Sequence, residues 1–290
     1  LTALTSIDGR YRSKLGDLSN ICSEMGLIRY RVLVELRWLR FLSLSDEIPD
    51  LLGFSEKALN HLEEIESHFS LDDAKAVKRL EKETNHDVKA VEYFIKSKIS
   101  EVSELKEIQE WIHFGCTSED INNCAYGLMV KSALATTVLP IVDQLLGSMS
   151  ELSIRTKSIP MLSRTHGQTA SPTTLGKEIA NTIFRLKRQK QLLSETQIYG
   201  KFNGAVGNFN AHVIAYPEAD WPTLSEKFIQ SLGLKNNPMT TQIEPHDYLA
   251  EIFHTLIRTN QIILDFNRDM WSYISINYFK QRNVCLLYTS

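Results

Sequence analysis

Residues 162–189 read LSRTHGQTASPTTLGKEIANTIFRLKRQ and join a short polar segment to an apolar periodic one. The second half carries apolar residues at the spacing of one helical face: Leu175, Ile179, Ile183 and Leu186. Ser171 and Pro172 are typical of an N-cap and a first helical residue, so the pattern predicts that the helix begins there. The stretch therefore predicts a long helix, preceded by a loop that carries His166.

His166 is the candidate proton donor of this loop. Gly167 allows the backbone to turn tightly, and Thr165 and Gln168 supply neutral hydrogen-bonding groups on either side. Backbone N–H groups at a helix start favour an anion. A proton donor beside an anion site suits the removal of a leaving group next to a carboxylate. The alternative is that His166 is solvated or structural, as most loop histidines are.

The composition is that of an ordinary folded protein with room for two domains. Of 290 residues, 43% are hydrophobic and 23% charged, and the net charge of -3 argues against binding to nucleic acid. The four cysteines form no CxxC pair and the eight histidines no HExxH or HxxxH spacing, so we expect a reducing cytoplasm and no metal site. No apolar run reaches membrane-spanning length and no signal peptide opens the chain, so we expect no membrane association.

Residues 84–94, TNHDVKAVEYF, predict a second candidate site at the start of a helix. Apolar residues recur at helical spacing from Val88 onward. The helix start carries four residues competent to bind phosphate or carboxylate: Asn85, His86, Asp87 and Lys89. The alternative is that these residues only cap the helix.

Residues 113–120, HFGCTSED, form a third loop that runs into a helix. Thr117 and Asp120 fit a capping box, which alone would explain Thr117. The helix is predicted to run from Asp120 to about Leu139, where Pro140 should interrupt or kink it.

Long helices dominate the rest of the predicted secondary structure. Further helices are expected over residues 21–44, 56–69, 71–82 and 248–280. The last helix has a predicted core stripe of Ile252, Phe253, Leu256, Ile263, Phe266, Met270 and Ile274. Residues 201–210, KFNGAVGNFN, predict a loop or a short hairpin, and residues 236–247 a second loop. The fold class is therefore predicted to be all-α, with polar loops at the helix ends.

Five motifs resemble those of the bacterial adenylosuccinate lyase family, within the fumarase/aspartase superfamily. They are DGRY at 8–11, TNHDVKAVEYF at 84–94, TSED at 117–120, SRTHGQ at 163–168 and TTQIEPHDY at 240–248. TSxD and THGQ recur across related lyases, whereas NHDVKAVEY and QIEPHDY point to this family. The resemblance covers nearly the whole chain. It implies a long-helix bundle domain at 108–284 and a smaller helical N-terminal domain at 1–107.

The resemblance also implies a reaction, the reversible elimination of fumarate from adenylosuccinate, giving AMP, and from SAICAR, giving AICAR, in purine biosynthesis. His166 matches the family's general acid. The matching substrate-binding positions are Arg10, Tyr11, Asn85, His86, Asp87, Lys89, Thr117, Ser118, Thr165, Gln168 and Gln242. No metal or organic cofactor is implied. The implied assembly is a cytoplasmic homotetramer whose active sites combine residues of three subunits.

The chain departs from the family after Lys280. The family's base is a serine in a mobile loop with the pattern GSSxMPxKxN, whereas this sequence continues QRNV and then CLLYTS. The segment 285–290 can be encoded by TGTCTCTTATACACATCT, which resembles a transposase adapter used in library preparation. We interpret it as a non-native tail, the alternative being a natural divergent C-terminus. Ser290 is not expected to be the base, and the chain as given is expected to lack lyase activity of its own.

Two other interpretations stay open at this point. Another lyase of the superfamily, such as argininosuccinate lyase, would share TSxD and THGQ. A non-catalytic structural relative on the same fold would not need the polar residues of these motifs. Their retention in the sequence argues against the second interpretation.

Overall fold

The computed structural model describes residues 5–51 and 53–280, which fall into two compact units. Unit 1 comprises residues 1–137 and 197–248, and unit 2 comprises residues 138–196 and 249–290. The predicted domain boundary between residues 107 and 108 divides the chain differently and stays a prediction. Residues 285–290, which we interpret as a non-native tail, lie outside the described part of the chain.

Helices make up most of both units, which confirms the all-α class. They are α1 (Leu18–Cys22), α2 (Glu24–Ser43), α3 (Glu56–Ser67), α4 (Leu71–Thr84), α5 (Asp87–Ile99), α6 (Ser103–Glu107), α7 (Ser118–Ala133), α8 (Leu139–Arg155), α9 (Leu175–Glu195), α10 (Asn210–Ala215), α11 (Trp221–Ser231) and α12 (Asp247–Ser275). The described strands are β1 (Pro160–Thr165) with β2 (Gln168–Thr174), antiparallel, and β3 (Tyr199–Gly200) with β4 (Lys235–Asn236), parallel. Residues 201–209 form a loop and not a hairpin.

The core of unit 1 is built around α2. Trp38 is 1% exposed, and its ring lies 4.5 Å from that of Phe202 and 4.8 Å from that of Phe228. Its indole N–H donates to the carbonyl of Phe114 at 3.0 Å, so the one polar atom of this buried ring is satisfied. This contact fixes the backbone three residues before Thr117, the residue that begins α7 as its N-cap.

The predicted start of the helix after His166 is wrong. Ser171 and Pro172 lie in β2, and α9 begins at Leu175 with Thr174 as its N-cap, accepting from the Lys177 N–H. His166 and Gly167 have φ of 53° and 77° and connect the paired residues on either side. Two central residues with positive φ are the geometry of a type I′ hairpin turn. His166 therefore lies at a hairpin tip, not at a helix N-terminus, and the helix-dipole argument does not apply to it.

Pro140 interrupts the helix as predicted, but the irregular part precedes it. A π-helical segment spans Leu134–Val138 between α7 and α8, and Pro140 occupies the first turn of α8. A proline cannot donate to the carbonyl four residues earlier, and its ring clashes with that carbonyl. The turn before it therefore widens.

The predicted core stripe of α12 is only partly right. Phe253 is 52% exposed, whereas the buried positions are Tyr248, Ile252, Thr255, Thr259 and Ile262. The Thr255 and Thr259 hydroxyls donate to carbonyls four residues earlier at 2.8 Å each, so they are buried without an unsatisfied group. The helix ends at Ser275 and not at Lys280, followed by Asn277 at φ 65°, a left-handed residue typical of helix ends.

One helical run is long and apolar enough to cross a membrane. The run Ser118–Arg155 has 38 residues and a window of mean hydropathy 1.5, of which 33% is buried. The expectation that no apolar segment reaches this length is therefore wrong. Length and composition alone also fit a helix of a protein core.

The core of unit 2 is formed by α8 and α9, with part of α12. The predicted stripe of α9 is confirmed as buried, from Leu175 at 8% exposed to Leu186 at 1%. Gly176 sits where α9 approaches α8: a Cβ there would lie 2.3 Å from the Ser153 carbonyl oxygen. Gly147 in α8 has nothing within 4 Å of the same added atom.

We expect Gly176→Ala to lower the midpoint of thermal unfolding and Gly147→Ala to leave it unchanged or raise it. The first change forces two backbones apart, at a cost of about 1–3 kcal/mol. The second removes a helix-interior glycine at an open position, a gain of up to ~1 kcal/mol. Circular dichroism at 222 nm measures both variants; equal midpoints would contradict the close α8–α9 approach.

Candidate active site

Two helix N-termini meet in unit 1. His86 is the N-cap of α5: its Nδ1 accepts a hydrogen bond from the Lys89 N–H at 3.2 Å. Its Nε2 lies 3.5 Å from Oγ of Ser118, the first residue of α7. The partial positive ends of both helices therefore face one place, which favours an anion there.

A buried arginine holds the two helix starts together. Arg31 of α2, whose side chain is 8% exposed, donates to Asp87 Oδ2 at 2.6 Å and to Asn122 Oδ1 at 2.8 Å. Partial burial would raise the pKa of Asp87, but the charge of Arg31 and the hydrogen bonds to the carboxylate outweigh it and lower the pKa. Asp87 is therefore an ionised carboxylate that is already engaged.

The loop that precedes α12 reaches the same place. Gln242 Nε2 donates to Thr117 Oγ1 at 3.1 Å. We call His86, Thr117, Ser118 and Gln242 the Thr117 cluster. All four were predicted, from three separate motifs, and the structure brings them together.

A buried ion pair holds the start of α7 in place. Asp120 and Lys201 are both 0% exposed, and Lys201 Nζ lies 2.7 Å from Asp120 Oδ1. Asp120 Oδ2 accepts from the Thr117 N–H at 2.8 Å, the contact of the predicted capping box. Asp120 also accepts from the backbone N–H groups of Asn203 and Gly204. The pair thus joins the loop after β3 to the N-cap of α7.

The other polar residues predicted in unit 1 have contacts of their own. Lys89 Nζ donates to Glu92 Oε2 at 2.8 Å, and Asn85 adopts a left-handed conformation as the C-cap of the preceding helix α4, not as a cap of α5. Arg10 stacks over the Tyr11 ring at 5.6 Å. The described contacts of this last pair do not include the Thr117 cluster.

His166, Thr165 and Gln168 belong to unit 2, and all the other predicted site residues belong to unit 1. At the hairpin tip, Thr165 Oγ1 lies 2.9 Å from His166 Nδ1. All three side chains are exposed. The imidazole is therefore accessible, with Nε2 outside the described hydrogen bonds.

Sequence reasoning assigned no role to a histidine between two carboxylates beside the cluster. His246 Nε2 lies 3.5 Å from Glu119 Oε1, and its Nδ1 lies 3.3 Å from Glu244 Oε2. Hydrogen bonding to Glu119, with the charges of both carboxylates, raises the pKa of His246 against the effect of burial. The sequence does place His246 two residues after Glu244, in QIEPHDY. Its second partner, Glu119, is distant in sequence and could not be predicted.

A second histidine lies fully buried behind the loop that leads to Thr117. His212 is 0% exposed, its ring lies 4.7 Å from that of Trp221, and both its nitrogens lack hydrogen-bond partners. Burial lowers the pKa of His212 to about 4. Gly115, at φ 71°, must be a glycine here because a Cβ would lie 2.5 Å from this ring.

Among residues 5–51 and 53–280, no group of three or more His, Cys, Asp or Glu side chains is placed to hold a metal ion.

Comparison with known proteins gives one family over nearly the whole chain. A family model described as Lyase matches residues 9–284. Adenylosuccinate lyase of Escherichia coli (strain K12) is 50% identical over 284 residues, covering 98% of this chain and 62% of the relative. Adenylosuccinate lyase of Haemophilus influenzae is 51% identical with the same coverage. This chain thus spans less than two thirds of the length of these relatives.

Solved structures show the same fold. β-Carboxy-cis,cis-muconate cycloisomerase from Acinetobacter calcoaceticus superposes with a TM-score of 0.70 at 19% identity, covering 89% of this chain and 57% of that one. The 3-carboxy-cis,cis-muconate lactonizing enzyme from Pseudomonas putida gives a TM-score of 0.69 at 20% identity, covering 89% and 56%. At this identity the likeness is one of fold alone.

We expect the stability of the protein to fall between pH 6.5 and 4 by an amount that His212→Phe removes. The ordinary pKa is 6.5 and that of buried His212 about 4, so over this range the unfolded chain takes up a proton that the native chain does not. The loss of unfolding free energy is about 3 kcal/mol at the acid end. His113 and His246, whose pKa values are raised, act in the opposite direction in both proteins and cancel in the comparison.

Urea unfolding of the parent and of His212→Phe at a series of pH values measures this difference. Parallel stability curves for the two proteins would show that His212 is protonated in the native state or is not buried.

Proposed function

We propose, since this chain belongs to the lyase family, that its activity is the reversible elimination of fumarate from adenylosuccinate and from SAICAR. The observation that carries the proposal is the Thr117 cluster. Two helix starts meet there, and one imidazole, two hydroxyls and one amide come together from three segments. The proposed substrates carry a phosphate and two carboxylates, which such donors bind. The names of the relatives at about 50% identity favour these substrates over argininosuccinate.

In the proposed reaction, a base removes a proton from the carbon next to a carboxylate. The resulting doubly charged carboxylate expels the nitrogen, the C–N bond breaks, and His166 gives that nitrogen a proton. An exposed imidazole at a hairpin tip, with Thr165 next to Nδ1 and Nε2 outside the described bonds, supports this role. The base is not assigned to any described residue; the family resemblance assigns it to a serine loop.

We propose that substrate binding uses the positions named from the resemblance: Arg10, Tyr11, Asn85, His86, Asp87, Lys89, Thr117, Ser118, Thr165, Gln168 and Gln242. Their roles differ by their present contacts. Asp87 acts through Arg31, because its carboxylate is already bound there. Lys89 must leave or share Glu92 to reach a phosphate. The proposed reaction needs neither a metal nor an organic cofactor.

We further propose that the protein works as a cytoplasmic homotetramer with active sites shared between subunits. Large apolar side chains on the helices of unit 2 are exposed, among them Trp271 at 77%, Phe184 at 73% and Ile154 at 66%. Such exposed groups are typical of a surface that a partner covers. The described cysteines, Cys22, Cys116 and Cys124, are free thiols, which suits a reducing compartment.

We expect His166→Gln to lower kcat by about 10²–10⁴, the usual contribution of a positioned proton donor. The assay uses a completed protein, in which residues 1–284 are joined to the C-terminal part of the Escherichia coli relative that this chain does not span. Adenylosuccinate cleavage is followed by absorbance, with His68→Gln on the surface as the control. Turnover within a few-fold of the parent, at unchanged oligomeric size, would mean that another group is the acid.

We expect His86→Ala to weaken the binding of AMP and to leave inhibition by fumarate nearly unchanged. His86 is the N-cap of α5 and one of the groups at the proposed phosphate end. Calorimetry with the completed protein gives the dissociation constant of AMP. His86→Asn is the matched variant, because asparagine keeps the cap and loses only the ring. An unchanged constant in both variants would exclude His86 from nucleotide binding.

A further inference from the structure

The backbone of His246 is bonded to a buried carboxylate. Glu244 is 2% exposed, and its Oε1 accepts from Asn237 Nδ2 at 2.9 Å. Its Oε2 accepts from the His246 backbone N–H at 2.5 Å and lies 3.3 Å from Nδ1. His246 itself has φ 59°, a left-handed conformation that a residue other than glycine adopts at a cost. Nδ1 makes no hydrogen bond to the described residues, and Nε2 faces Glu119 at 3.5 Å from Oε1.

Glu119 places a negative charge in the first turn of α7, directly after Ser118. Such a charge is favourable for the helix dipole but repels an anion bound at the same N-terminus. His246 Nε2 lies 3.5 Å from Glu119 Oε1 and therefore offsets this charge when the ring is protonated. Glu119 directly follows Ser118, and His246 lies four residues after Gln242 along the chain.

The surroundings of His246 contain no other charged group than these two carboxylates among its described contacts. The rings of Tyr126 and Tyr248 lie 6.5 Å and 5.9 Å from the imidazole. Protonation of the ring is therefore governed by Glu119 and Glu244. Both favour the imidazolium, and its charge is lost as the pH rises through the raised pKa.

We infer that His246 is a positioning residue that neutralises Glu119 and so allows an anionic group to bind at the start of α7. The same contact connects two segments of the cluster. His246 lies four residues after Gln242, and Glu119 lies two residues after Thr117. The inference takes the identity of the ligand from the proposed function, but the charge relation itself rests on the contacts of unit 1.

The test compares His246→Asn with the double variant His246→Asn/Glu119→Gln in the completed protein. Asparagine tolerates the left-handed backbone and removes the positive charge. Calorimetry measures the dissociation constants of AMP, fumarate, inorganic phosphate and the uncharged nucleoside adenosine. His68→Asn, at the exposed C-cap of α3, is the matched control.

We expect His246→Asn to weaken AMP or fumarate about tenfold, the effect of one uncompensated charge near the surface. Adenosine binding should not change, and the double variant should recover most of the affinity because no charge is left uncompensated. In the parent, affinity for the anion should fall as the pH rises through the pKa of His246, and in the double variant it should not.

Three outcomes would overturn the inference: unchanged anion binding in His246→Asn, an equal loss of adenosine, or a double variant as weak as the single one. A parent protein that binds neither AMP nor fumarate and cleaves no adenylosuccinate would instead contradict the proposed function. In that case the same comparison with inorganic phosphate decides the role of His246: weakening that the double variant reverses supports it, and any other result rejects it.

Discussion

The ion pair between Asp120 and Lys201 is the contact on which the site geometry depends. Both side chains are fully buried, and removing two charges from water costs several kcal/mol per ion. The cost is offset only where the remaining hydrogen-bonding capacity is used. Here Asp120 also accepts three backbone N–H groups, and Lys201 Nζ donates to the Gly204 carbonyl at 3.1 Å. A pair so fully bonded leaves little freedom in the loop and helix start that it joins.

The contacts of Asp120 also hold the neighbouring loops in place. Asn203, fixed through its backbone by Asp120, donates from its side chain to Thr240 Oγ1 at 2.9 Å. Gly207 packs against the same segment so closely that a Cβ would lie 2.2 Å from the Thr240 carbonyl oxygen. Two residues after Thr240, Gln242 donates from Nε2 to Thr117 Oγ1. Thr117 and Gln242 are thus held by one closed chain of contacts that begins and ends at the start of α7.

The sequence predicted those parts of the structure that are encoded locally. Helical periodicity located α2 to α5, and the capping box placed the start of α7. Polar residues of five motifs were predicted as site components, and the structure brings three of these motifs together. The predicted start of α9 was wrong because a proline also fits an edge strand, and both strands of this two-stranded hairpin are edges.

Other failures have a long-range cause. The buried face of α12 was shifted because threonine, polar in isolation, bonds to its own helix and can be buried. Lys201 lies in a loop, as predicted, but nothing in KFNGAVGNFN indicates that its side chain is buried against Asp120. His246 and Glu119 are likewise distant in sequence and meet only in the fold. Periodicity reports one face of one element, and it carries no information on which distant charge that element will meet.

The hairpin turn at His166 has a consequence for how this sequence can change. A type I′ turn is best served by Asn-Gly, and histidine in its first central position is the less stable choice for the backbone. Selection for thermal stability alone would therefore favour asparagine at this position, while the proposed proton transfer requires the imidazole. At the hairpin tip, the stability of the turn and the proposed chemistry therefore favour different residues at one position.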